Sequence, residues 1–121
     1  SDVVNLAGIY DIDPAKREKA RANGIKAYET LDEVLADKDV DLVTVAIPND
    51  VHKDTVVKCL LAGKNVICEK PAGVYTKQVR EMNEVAKKSG KVFGLMFNQR
   101  TNPIFTKVLQ EVQINLFSYL Q

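Results

Sequence analysis

The sequence predicts an α/β domain with a doubly wound, mostly parallel sheet. Three observations predict it. Short β-branched runs alternate with charged segments of helical period along nearly the whole chain. One run, residues 41–47 (DLVTVAI), is almost continuously apolar, the pattern of a strand buried on both faces. Capping residues and glycines stand where each intervening helix should start and stop.

Taken in order, residues 3–10 (VVNLAGIY) read as a first strand, ended by Asp11-Ile12-Asp13-Pro14. Asp13 before Pro14 starts a helix, because its carboxylate can cap free amides and proline has no amide to leave unpaired. That helix, 14–23, stops at Gly24, and 25–28 is a short strand. Thr30-Leu31-Asp32-Glu33 has capping-box spacing and opens a helix over 31–36. After the 41–47 strand a helix runs over 51–62, closed by Gly63, and 65–69 is the next strand. Thr76 is the expected N-cap of a helix over 77–89. That helix puts Val79, Met82, Val85 and Ala86 on one face and ends at Gly90. Residues 91–97 form a further strand, and Asn102-Pro103 starts a helix to about residue 112 by the same cap-then-proline logic. The last nine residues, 113–121, change character; Ile114, Leu116, Phe117, Tyr119 and Leu120 could form a strand.

Composition bounds the function. A chain of 121 residues holds one core, and 45% apolar with 27% charged residues is ordinary for a globular protein. A net charge of +1 supplies no field for nucleic acid, an anionic membrane or an acidic partner. No apolar run is long enough to span a bilayer and no signal peptide is recognised, so a cytoplasmic protein is expected. Cys59 and Cys68 lie in apolar stretches and read as reduced core residues rather than a disulfide. No further ligand cluster accompanies them, so no metal site is expected.

In open α/β sheets ligands sit outside the carboxyl ends of the strands, and four such ends carry chemistry here. Asp11 could accept hydrogen bonds from an adenosine ribose, or could simply shape a turn. Ala46-Ile47-Pro48-Asn49-Asp50-Val51-His52 brings backbone amides and the positive end of a helix toward the crevice. It would equally serve as a plain strand–helix turn, and its histidine, the only one in the chain, as a structural residue. Cys68-Glu69-Lys70-Pro71 places a lysine beside a carboxylate, suited to hold a substrate hydroxyl or move its proton, or to make a surface ion pair. Asn98-Gln99-Arg100-Thr101-Asn102-Pro103 offers amide and guanidinium donors, or a polar loop that caps a helix.

In this order, these segments resemble the Gfo/Idh/MocA oxidoreductases. The resemblance covers residues 3 to about 110. Its specific part is Pro48-Asn49-x-x-His52 followed by Glu69-Lys70-Pro71. It implies a Rossmann-type cofactor domain and hydride transfer between nicotinamide and a sugar, polyol or related hydroxy compound. It further implies that Asp11, with Ile12, binds the adenosine ribose. Ala46, Ile47, Pro48, Asn49 and His52 would line the cofactor. Glu69 and Lys70 would lie by the nicotinamide ribose, Lys70 also acting as the catalytic residue on the substrate hydroxyl, with Asn98 and Arg100 on the substrate side. NAD is the expected cofactor; Lys16 and Arg17, one turn after Asp11, leave NADP open. The partners implied are a small-molecule substrate and further copies of the intact protein.

The pattern also departs from the family. Its members open with a strand and a Gly-x-Gly-x-x-Gly/Ala turn some twenty residues or more ahead of the Asp11 position; here ten residues precede Asp11, and Gly8 is the only glycine among them. Residues 1–112 are therefore expected to be a partial NAD(P)-binding domain, lacking its first strand and glycine-rich loop, with 113–121 as a tail and the family's substrate domain absent. Such a chain should be inactive alone and should hold two half-sheets. It would be a piece of a longer polypeptide, be completed by a partner's strand, or fold 114–120 into the gap. A non-catalytic nucleotide-binding or regulatory module is the alternative function, and a ligand-free remnant a third.

Overall fold

The computed structural model describes residues 4–70, 73 and 75–96. The ordered elements are α1 (Pro14–Ala22), α2 (Leu31–Ala36), β1 (Leu42–Val45), a 3-10 turn (Asn49–Val51), α3 (His52–Leu61), β2 (Asn65–Glu69), α4 (Thr76–Ser89) and β3 (Phe93–Met96). The three strands make one parallel sheet in the order β1-β2-β3. Each parallel connection carries a helix, as two neighbouring parallel strands require. Both helices pack on the same side: Val56, Cys59 and Leu60 of α3 and Met82 and Ala86 of α4 close over Val45, Val66 and Cys68. The period-2 alternation of β2 sends Val66 and Cys68 into this core, while Asn65, Ile67 and Glu69 on the other face stay half-buried.

The sheet is stitched at its amino edge by one side chain. Asn65 Nδ2 donates to the Asp41 carbonyl at 3.1 Å, and its Oδ1 accepts from the Val92 amide at 3.0 Å. The single central residue thus bonds toward both neighbouring strands.

A second, smaller cluster of Tyr28, Val34 and Val40, with Leu31 and Val43 against it, joins the amino-terminal part to β1. Asp37, at the end of α2, is the polar hub of that part. Its Oδ2 accepts from Lys26 Nζ at 2.8 Å and from the Tyr28 hydroxyl at 2.7 Å, and its Oδ1 accepts from the Asp39 amide at 2.9 Å. The Asp37 carbonyl in turn accepts from Lys64 Nζ at 2.6 Å. Lys64 is buried just before β2, so this bond ties the hub to the main sheet.

Several elements fall where the sequence predicts them. The 31–36 helix and the 65–69 strand agree residue for residue, with Thr30 Oγ1 accepting from the Glu33 amide at 3.2 Å. Asp13 accepts from the Ala15 amide at 2.9 Å and starts α1. Gly24, Gly63 and Gly90, the three expected stops, all take positive φ. Cys59 and Cys68 are free, buried thiols.

Other elements differ. The expected first strand over 3–10 and the short strand over 25–28 reduce, among the described residues, to one parallel bridge, Ile9↔Ala27. Ile9 donates to the Lys26 carbonyl and accepts from the Tyr28 amide, both at 2.9 Å. Gly8 is required there: a Cβ would stand 2.7 Å from Tyr28 Cε2 and 2.8 Å from the Lys26 carbonyl. The 41–47 strand pairs only over Leu42–Val45 and buries only Val45, because helices α3 and α4 cover one face while Leu42 and Thr44 on the other are exposed. The 51–62 helix begins as the 3-10 turn and ends at Leu61. The 14–23 helix ends at Ala22, and the 77–89 helix starts one residue early, at Thr76, with Tyr75 as the cap position. Gln78 there accepts from the Tyr75 amide at 3.3 Å. The strand expected over 91–97 is Phe93–Met96 among the described residues, and the 103–112 helix and the 113–121 tail lie outside them.

Candidate functional site

The carboxyl edge of the sheet is where β1 and β2 release their loaded segments. The last paired position between β1 and β2 is Val45↔Cys68, so Ala46-Ile47-Pro48 leave the sheet at the edge where β2 ends in Glu69 and Lys70 follows. Ala46, Ile47, Pro48 and Lys70 are exposed and Glu69 is half-buried. Glu69 also pairs with Met96, so the end of β3 opens on the same edge. The backbone then tightens: the Val51 amide donates to the Pro48 carbonyl at 3.2 Å, and α3 follows without a side-chain cap. Asn98 and Arg100, expected on the substrate side, lie outside the described residues.

His52 belongs to this edge in a way its position in the sequence does not reveal. It is 1% exposed. Its Nε2 stands 2.5 Å from the Ile47 carbonyl, and its Nδ1 stands 3.4 Å from Cys68 Sγ. The imidazole therefore spans from the turn after β1 to the end of β2. Cys68, read from the sequence as core packing alone, is one of its polar partners. The signal that pointed inward was the Val66/Cys68 alternation; nothing in the sequence named His52 as the residue it meets.

Asp11 lies at the end of the segment bridged through Ile9, with its carboxylate built into a turn. Oδ1 accepts from the Asp13 amide at 2.9 Å, and Oδ2 lies 3.3 Å from Lys16 Nζ. The Asp13 amide first, then Lys16 and Arg17, hold its carboxyl below the usual value of 3.8, so it is a carboxylate at neutral pH. Arg17 is committed elsewhere: Nη1 donates to the Asp11 carbonyl at 2.7 Å and the Ile12 carbonyl at 3.2 Å, and Nη2 pairs with Glu29 at 3.3 Å. Of the two cations that left NADP open, Arg17 is thus occupied by backbone and Glu29, and Lys16 by Asp11. Ile12 is 82% exposed beside them.

A dinucleotide fits the chemistry of these groups. An ionised acceptor carboxylate at Asp11 suits two ribose hydroxyls and opposes a phosphate. The exposed Ala46–Pro48 backbone offers a surface along which an extended ligand can lie. Lys70 beside Glu69 supplies a donor next to a carboxylate. Among the described residues no group of three or more His, Cys, Asp or Glu could hold a metal ion, and no helix is long and apolar enough to cross a membrane.

Known proteins match this chain over most of its length. The family described as "Oxidoreductase family, NAD-binding Rossmann fold", Gfo/Idh/MocA, matches residues 1–97. The rhizopine catabolism protein MocA of Rhizobium meliloti is 30% identical over 120 residues, 99% of this chain and 38% of that protein. A trans-1,2-dihydrobenzene-1,2-diol dehydrogenase of Xenopus laevis is 36% identical over 98 residues, 81% of this chain and 30% of that one. The crystal structure of an NAD-binding protein from Listeria innocua superposes with a TM-score of 0.76 at 42% identity, covering 78% of this chain and 27% of that one. The chain therefore spans roughly a third of the length of these relatives. On the extent of the family match and these identities, the chain belongs to the Gfo/Idh/MocA family of oxidoreductases and carries sequence of its NAD-binding Rossmann domain.

Proposed function

We propose that this chain forms the cofactor-holding part of an NAD-dependent oxidoreductase acting on a hydroxyl-bearing small molecule of the sugar, polyol or related class. The observation that carries the proposal is the pairing of β1 and β2 up to Val45↔Cys68, which releases Ala46-Ile47-Pro48 and Glu69-Lys70 together at one sheet edge. In this reading Asp11 and Ile12 hold the adenosine end, and Ala46, Ile47, Pro48 and Asn49 pass along the ligand with their backbone. Glu69 orients the nicotinamide ribose and the Lys70 side chain. Lys70 Nζ holds the substrate hydroxyl and takes part in moving its proton. Bound NAD supplies the hydride acceptor. Asn98 and Arg100 extend the site toward the substrate. NAD is favoured over NADP because the Asp11 carboxylate is ionised and Arg17 is already engaged. The names of the relatives, one acting on a dihydrodiol and one in rhizopine catabolism, support a substrate with hydroxyl groups.

The test is Lys70→Ala in the full-length protein. Turnover should fall by about 100-fold or more, the scale of lost proton handling, while the dissociation constant for NAD changes by less than about threefold. Equal losses in both would make Lys70 a cofactor-holding residue and reject the catalytic role.

A further inference from the structure

The only histidine of the chain is buried against two strand ends, and two of its ring contacts bear on where its proton sits. A carbonyl can only accept, so the 2.5 Å contact with Ile47 requires a proton on Nε2 of His52. On Nδ1 the facing group is the Cys68 thiol at 3.4 Å. Burial, with the neighbouring Glu69 charge, pushes that thiol up to about 11, so it is S–H at neutral pH and can donate. Donor and acceptor then match at both nitrogens: Nε2–H to the Ile47 carbonyl, and Cys68 S–H to Nδ1.

The placement gives this arrangement a consequence. Ile47 opens the turn that leads through Pro48 into α3, and Cys68 immediately precedes Glu69 and Lys70. Beyond Val45↔Cys68 the ladder between β1 and β2 stops, so main-chain bonds between those strands no longer hold the two segments in register. The imidazole spans that point. We propose that His52 is a positioning residue, in its Nε2–H form, which fixes the Ile47–Pro48 turn relative to Glu69-Lys70 and touches neither cofactor nor substrate. The proposal rests on the cofactor reading above for its functional consequence, and on the His52 geometry alone for the arrangement. Because turn and strand end are held by one ring, removing its donor should loosen cofactor binding and the Lys70 geometry together.

The experiment uses the full-length protein with His52→Gln, His52→Leu and Cys68→Ala. His52→Gln keeps a side-chain N–H that reaches the Ile47 carbonyl, and should bind NAD within about threefold of the parent. His52→Leu keeps the bulk without the donor, and should bind NAD about tenfold or more weakly while melting as a folded protein, the loss of one buried hydrogen bond. A folded Leu variant with parental affinity overturns the proposal, as does an equal loss in the Gln and Leu variants. Should the Leu variant fail to fold, Cys68→Ala decides. The nitrogen NMR signal of His52 Nδ1 should shift on losing the thiol donor while Nε2 stays protonated; an unchanged Nδ1 signal, or a proton on Nδ1 in the parent, overturns it. The nitrogen spectra need no cofactor. They judge the His52 arrangement even where an NAD titration of the parent is flat, a result that would reject the proposed function instead.

Discussion

At the scale of single residues, the candidate site divides into groups that face solvent and groups that hold them. Asp11 belongs to the first kind, yet both of its oxygens already have partners in the Asp13 amide and Lys16. Each oxygen keeps acceptor capacity beyond that one partner, and the negative charge strengthens any hydrogen bond that a ribose hydroxyl would donate to it. Asp11→Asn separates the two properties, since the amide oxygen can still accept from Asp13 while the charge is gone. The expected outcome is an NAD affinity lower by about tenfold, the worth of a charged hydrogen bond, and a smaller preference for NAD over NADP. Titration of the full-length Asn variant with both dinucleotides checks it, and unchanged values for both would remove Asp11 from the site. The residue scale is also where the sequence was least legible. Asp11, Ala46–Asn49 and Glu69-Lys70 could be singled out because strand ends are visible in a pattern. The occupation of Arg17 by the Asp11 and Ile12 carbonyls could not, because a side chain that reaches back to backbone leaves no periodic trace.

Among the elements, legibility follows how local the cause is. Helix α2 could be read to the residue because its start is a four-residue box whose bonds close within the segment itself. Strand β2 was equally legible, as an apolar run between Gly63 and Lys70 that lies central in the described sheet. The 3–10 and 25–28 segments were overextended because pairing depends on a partner that residue pattern does not specify; the Gly8 contact with Tyr28 and Lys26 allows the approach but only Ile9 makes the ladder bonds. For β1 the apolar run suggested burial on two faces, whereas packing by α3 and α4 covers one. Asn65 is the element-scale residue no pattern marks. Its amide bonds Asp41 on one side and Val92 on the other, where the strands begin. Asn65→Ala removes both bonds and should cost about 1–2 kcal/mol, the net worth of two partly exposed neutral hydrogen bonds. Urea unfolding checks it, and a loss below about 0.5 kcal/mol, the scatter of ordinary surface substitutions, would show that water replaces the amide without cost.

Across the whole molecule, the two clusters differ in what holds them. The α3–β2–α4 core buries Val56, Cys59, Leu60, Val66, Cys68 and Met82 completely. Among the described residues, the amino-terminal part has the small cluster Tyr28, Val34 and Val40 at its centre and depends on the Asp37 hub. Lys26 first, then Tyr28 and the Asp39 amide, hold the Asp37 carboxyl far below its ordinary 3.8. A carboxyl whose folded-state value is depressed contributes stability above its unfolded value, and that contribution is lost as pH falls through the folded one. Asp11 shifts in the same direction in the same part of the chain. Glu81, lowered by Lys53, does so between α3 and α4, where apolar packing carries the load. Acid should therefore open the molecule unevenly. Below about pH 4, and increasingly as the pH falls further, amide protection should fall first over residues 26–40 and persist over 56–68 and 82–86. Lys64→Met should bring the same uneven pattern at neutral pH, because it deletes the part-buried bond to the Asp37 carbonyl, worth roughly 1–3 kcal/mol, and leaves the apolar core in place. Hydrogen exchange followed by mass spectrometry, at about pH 3 and 7 on the parent and at pH 7 on the variant, reads both effects. If protection falls evenly over both regions, or first in the core, then Asp37 and Lys64 do not form the joint between them.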